Sequence, residues 1–183
     1  MPDPAYQDVA ADLRFPIGRY QPVREISAQT RERWIRELED LPGNLRNAIA
    51  GLSEVQLDTP YRPGGWTVRQ VVHHLPDSHI NSYCRFRLAL TENTPGVKTY
   101  EESLWAELPD ARHSPVEPSL LLLEGLHGRF TALLRSMTEV DFSRSFRHPE
   151  LGEIRLDWTL GLYAWHSRHH VAHITQLRAR EGW

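Results

Sequence analysis

Four of the chain's ten histidines fall within the nine residues Trp165-His166-Ser167-Arg168-His169-His170-Val171-Ala172-His173. Apolar residues recur at helical spacing from about Leu156 to Arg180, which predicts one helix carrying the whole cluster. On a helix, residues four apart lie one turn apart on one face. His166 and His170 therefore form one pair, and His169 and His173 a second. Two imidazoles so placed can bind a single metal ion. Because two ligands rarely suffice, a second helix has to bring a third, and the other cluster, His73-His74, is the donor to expect. A chain like this has to face two histidine-bearing helices across an interior.

The remaining pattern supplies partners for those helices. The first helix is expected after Ser27, with Trp34, Ile35 and Leu38 at helical spacing, and Pro42-Gly43 is a place to kink or interrupt it. Thr67 with Gln70 reads as a capping box, followed by Val68, Val71, Val72 and Leu75 at core spacing. That second helix runs on through Tyr83, Phe86 and Leu90, with a kink expected where Pro76 removes a hydrogen bond to Val72. A long connection, Glu92 to Pro118, is expected to hold one short helix around Glu101 to Leu108. Leu120, Leu123, Leu126, Phe130 and Leu134 mark the third helix. Between Phe142 and Asp157, His148 to Glu153 reads as a turn joining two short extended pieces. Four long amphipathic helices with long crossovers predict an all-α four-helix bundle, a fold that builds metal sites from side chains on facing helices.

At 183 residues the chain is long enough to bury a core, and a single domain, 1–183, is expected. Residues 1–26 contain four prolines (Pro2, Pro4, Pro16, Pro22) and little periodicity, so an extended N-terminal arm is expected over the body. A net charge of −3 without basic runs points away from nucleic acid. The longest aliphatic run, Leu120 to Leu123, is too short to span a membrane. Met1-Pro2-Asp3-Pro4 lacks the charged start and apolar core of a secretory signal, and the single cysteine, Cys84, fits a reducing compartment. A cytoplasmic protein is the expectation.

A lone histidine more often packs or caps than ligates. Six in two clusters, each on an apolar helix, favour metal. Spacing alone leaves open which pair on the last helix serves, and whether His73 or His74 joins it. Three neutral imidazoles leave coordination positions open, the pattern of catalytic sites, and cancel none of the ion's charge. Bound water or thiol would then lose its proton more readily. Zinc, nickel and iron all accept imidazole, so one divalent ion per chain is expected with its identity left open. Asp77, one turn beyond His74, is a candidate catalytic base. Arg168 reads as a surface ion pair and Cys84 as a packed free thiol; His79, His113, His127 and His148 are given no role. No serine triad, phosphate loop or C-x-x-C pair is present.

The strings Gln56-Leu57-Asp58-Thr59-Pro60-Tyr61-Arg62, Gly64-Gly65-Trp66-Thr67-Val68-Arg69-Gln70-Val71-Val72-His73-His74-Leu75, Asp77-Ser78-His79, Asn81-Ser82-Tyr83 and Gly161-Leu162-Tyr163-Ala164-Trp165-His166 stand in this chain. Together they resemble the DinB/YfiT family, whose YfiT-like branch carries the label of metal-dependent hydrolases. The resemblance runs from Phe15 to Trp183. It implies a DinB-like four-helix bundle with a three-histidine metal site, whose ligands fall on His74, His166 and His170. Pro76 departs from the branch, which carries alanine there.

Related bundles use a low-molecular-weight thiol such as mycothiol, bacillithiol or glutathione. By that analogy the expected activity is S-transfer from a metal-activated thiol, such as bacillithiol, to an electrophilic small molecule. A hydrolase using metal-activated water is the alternative, and a non-enzymatic metal-binding bundle the second. The resemblance also implies a homodimer.

Overall fold

Each long helix begins where local chemistry favours it. The computed structural model describes residues 12–183, so the first eleven residues of the expected arm lie outside it. Helix α1 (Ala28–Ile49) opens at Ser27, whose Oγ accepts the Thr30 N–H, and it continues through Pro42 without a break. Short α2 (Glu54–Leu57) precedes α3 (Val68–Thr91), which opens on the expected Thr67/Gln70 box with both reciprocal hydrogen bonds made. Pro76 sits inside α3, and the helix runs on past it.

The long connection holds two short helices where one was expected, α4 (Glu102–Trp105) and α5 (Pro109–His113). Pro109 explains the division, because proline is disfavoured within a helix but suits its first turn. Helix α6 (Glu117–Ser136) follows, then α7 (Glu139–Ser143), then the antiparallel hairpin β1 (Ser145–His148) and β2 (Gly152–Arg155). Helix α8 (Leu156–Glu181) ends at Gly182, whose φ of 73° suits a residue without a side chain. No described helix is long and apolar enough to cross a membrane.

Around the bundle, α1 packs on α6 and α8, and α3 packs on the same two. The interior divides into two apolar clusters. One gathers Trp34, Leu38, Phe86, Phe130, Leu134, Leu156 and Leu160. The other gathers Leu45, Val68, Val72, Leu75, Leu123, Ile174 and Leu177. Helices α1 and α8 run from the first cluster to the second, whereas α3 and α6 run from the second to the first. Since α3 and α6 are parallel, the segment 92–116 has to return along the bundle, which is the long crossover that the pattern predicted. At the crossing of α1 and α8, Gly161 lets the helices close: a Cβ there would lie 2.9 Å from the Trp34 ring.

Candidate metal centre

Where the helices pass from one cluster to the other, the interior turns from aliphatic to imidazole. On α8 a half-buried His166 and a buried His170 lie between Ala164 and Ile174, and on α3 a buried His74 lies beside Leu75. One ring nitrogen from each of His74, His166 and His170 lies within 4.8 Å of the others. His74 Nε2 and His166 Nε2 are 3.3 Å apart. The His170 ring stands 4.4 Å from that of His166 and 4.8 Å from that of His74, centroid to centroid.

Burial pushes the His74 imidazole down to about 4, with the neighbouring His173 adding to the effect. Burial likewise holds His166 and His170 well below their ordinary value. Neutral rings keep the lone pairs that a metal requires. No carboxylate among the described residues joins this group.

The two adjacent histidines on α3 part company. His73 turns to the α5–α6 junction, its Nδ1 2.7 Å from Ser119 Oγ and its Nε2 3.2 Å from the Ser114 carbonyl oxygen. With both nitrogens engaged there, His73 clamps the crossover. The other pair on α8 packs against aromatic rings beside this group. His173 donates from Nε2 to the Arg14 carbonyl at 3.2 Å and stacks on Tyr61 at 4.0 Å. His169 stacks on Trp165 at 4.4 Å.

A cleft of about 710 Å³ opens over the three imidazoles. Trp66 leans over His74 with centroids 4.7 Å apart, held by a tight loop in which Tyr61 N–H donates to the Trp66 carbonyl. The crossover contributes Tyr100 and Glu101, the hairpin His148 and Glu150, and the N-terminal segment Arg14. That segment is pinned along α8, where the Gly18 carbonyl accepts from Trp165 Nε1 and the Pro16 carbonyl from Gln176 Nε2.

Asp77 is not among the residues lining the cleft. Its half-buried carboxyl is pushed up to about 6, by burial first and by Asp110 second. Arg168 pairs with Glu37 on α1, the surface ion pair expected of it. Cys84 corrects the reading of a packed thiol: it is exposed, because Tyr83 and Phe86 define the inward side of α3 there and position 84 falls off it.

Two histidines to which sequence pattern assigns no role, His79 and His127, stand directly behind the site. His79 Nε2 lies 3.2 Å from His166 Nδ1, and His79 Nδ1 lies 3.0 Å from His127 Nε2. His127 Nδ1 is 2.6 Å from the Leu38 carbonyl oxygen. Periodicity contained this signal. His127 is four residues from Leu123 and three from Phe130, while His79 is four from Leu75 and seven from Phe86, so both sit on core stripes.

The chain is 53% identical to "Putative metal-dependent hydrolase YfiT" of Bacillus subtilis (strain 168), over 95% of this chain and 98% of that protein. It is 55% identical to a Bacillus mycoides (strain KBAB4) protein with the same hydrolase name, over 94% and 99%. The solved structure of the B. subtilis protein, described as having "an unusual four-helix bundle topology", superposes with a TM-score of 0.91 over 93% of this chain and 98% of that one. A second four-helix bundle protein, TT2238, shares the fold at a TM-score of 0.57 and 19% identity, covering 84% of this chain and 100% of that one. Residues 37–174 match the DinB superfamily; the chain belongs to that superfamily and, within it, to the YfiT-like proteins.

Proposed function

We propose that this protein is a divalent-metal-dependent enzyme in which His74, His166 and His170 hold one ion, zinc or nickel, and that it transfers a low-molecular-weight thiol to an electrophilic small molecule. The observation that carries the proposal is the convergence of three neutral imidazoles within 4.8 Å of one another beneath an open cleft. A divalent ion bound there supplies Lewis acidity, lowering the pKa of a thiol or water that reaches it. Three uncharged ligands leave its positive charge undiminished, which favours an anionic sulfur.

In S-transfer a carbon–sulfur bond forms at the electrophile. The leaving group departs with its electron pair, and the thiol proton passes to solvent. The chain's part is to hold the imidazoles neutral and to shelter the site beneath Trp66 and Tyr100. A volume of about 710 Å³ is room for small molecules. We assign Asp77 no step. Residues 1–183 are read as one domain, working as a cytoplasmic homodimer.

The names of the relatives favour a second reading, hydrolysis by metal-activated water. Metal-loaded protein assayed against a chlorodinitrobenzene reagent with bacillithiol, with glutathione and without thiol separates the two. Thiol-dependent turnover that disappears in His74→Ala supports transfer. Turnover of esters or amides without thiol replaces it with hydrolysis. His74→Ala is expected to lose stoichiometric metal binding while keeping its helical circular dichroism. If it retained one ion per chain at unchanged affinity, the ligand set would be wrong.

A further inference from the structure

Behind His166, the chain of imidazoles has a direction. Pro42 lies four residues beyond Leu38 in α1 and has no N–H, so the Leu38 carbonyl lacks its usual helical donor. His127 Nδ1 occupies that place at 2.6 Å. A carbonyl oxygen only accepts, so His127 Nδ1 carries a proton. Burial pushes the His127 ring down to about 4, so near neutrality its other nitrogen, Nε2, is a bare acceptor.

His79 Nδ1, 3.0 Å away, has to donate to it. His79 is 0% exposed and its ring faces His127, His166 and Tyr163, with no carboxylate among the described residues paired to it, so burial keeps it neutral. Its one N–H is given to His127, which leaves His79 Nε2 bare in turn. The nitrogen facing it at 3.2 Å is His166 Nδ1, which therefore donates. The last free atom in the series is His166 Nε2, which lies 3.3 Å from His74 Nε2.

We infer that His79 and His127 are positioning residues, which hold His166 as its Nδ1–H tautomer so that the Nε2 lone pair faces His74 and His170. The role assigned to that lone pair rests on the metal-site reading above. A histidine that binds metal usually donates its other N–H to a carboxylate, a carbonyl or water. In this protein the final acceptor is a carbonyl reached through two further imidazoles. The relay adds no negative charge to the site, and it fixes the ring before any ion arrives. His170 has no such support: its Nδ1 has no hydrogen-bond partner among the described residues. The two α8 imidazoles are thus unequal, one oriented from behind and one not.

Nitrogen NMR of ¹⁵N-histidine-labelled, metal-free wild-type protein reads each ring's tautomer directly. The proton is expected on Nδ1 of His127, His79 and His166. A His166 proton on Nε2, or an even mixture of the two forms, overturns the inference. Competition titration with Zn²⁺ supplies an independent reading. His79→Phe removes the acceptor and is expected to weaken binding about 10–100-fold. In His79→Gln an amide oxygen faces His166 and an amide N–H faces His127, so most of the loss should be recovered. A folded His79→Phe protein with wild-type zinc affinity also overturns the inference. Should that variant fail to fold, the wild-type tautomers still decide. If His74→Ala keeps its zinc, the ligand assignment fails, whereas the tautomer of His166, read without metal, still tests the relay.

Discussion

The apolar clusters and the imidazole layer between them each hold fully buried side chains: Phe86 and His79 are both 0% exposed. They depend on burial in opposite ways. Phe86, Phe130 and Leu134 stabilise by area and close packing, an interaction without direction in which neighbours share any loss. Each imidazole costs free energy to bury unless its nitrogens find partners, and those partners are single atoms at fixed distances. A change in an apolar cluster should therefore lower stability and leave metal affinity alone. Within the imidazole layer, one change alters the proton position on the next ring.

The largest test of that contrast lies in the apolar part. Phe86 touches Phe130 edge to face at 5.1 Å. Phe86→Ala removes a fully buried ring and is expected to cost about 3–5 kcal/mol. Urea denaturation of the metal-free protein measures the loss, and zinc titration under native conditions should give an affinity within about twofold of wild type. A parallel fall in affinity would mean that the two regions share one packing unit, and the contrast would break.

Acidification sharpens it from the other side. Burial pushes His127 down to about 4 and does the same to His173, whereas the unfolded chain titrates near 6.5. Between these values the unfolded state binds more protons, so stability rises with pH through that window. The contribution is fully present above about 6.5 and is lost as pH falls toward about 4. Thermal melts of metal-free protein across this range should show the decline. Replacing His127 by glutamine should flatten it, because one depressed group is gone. Phe86→Ala should lower the whole curve and keep its slope, since neither apolar cluster contains a group that titrates between pH 4 and 7. An unchanged slope in His127→Gln would show that other groups govern the acid limb.

The same contrast separates what the sequence exposes from what it hides. Helix starts at Ser27 and Thr67, the hairpin at His148 to Glu153 and the long crossover could be read because each depends on residues near in the chain. The coming together of His74 with His166 and His170 was also within reach, through the i, i+4 pattern and the resemblance that chose between the pairs. Core periodicity could place His79 and His127 inside, but it carries no information about hydrogen-bond partners. The acceptor that orders them, the Leu38 carbonyl, depends on Pro42, which in sequence signals only a break or kink in α1. Cys84 shows the converse: an apolar neighbourhood in sequence suggests a packed thiol, and the position faces outward. Pairing across helices is set by register between distant segments, and no single segment encodes it.

The smallest expected effect falls at the junction of the two regions. Thr67 caps α3 through a hydrogen bond from the Gln70 N–H, and Trp66 beside it leans over His74. Thr67→Ala removes the hydroxyl acceptor and is expected to cost about 1 kcal/mol, read as a lowered urea midpoint with an unchanged slope. Hydrogen exchange should quicken at the first turn of α3 and leave the amides near Phe86 as in wild type. If the cap serves the apolar packing alone, zinc affinity stays within about twofold of wild type. If affinity falls further than the cap's own cost explains, the Tyr61–Trp66 loop belongs with the imidazole layer, and the boundary between the two regions lies one turn nearer the start of α3.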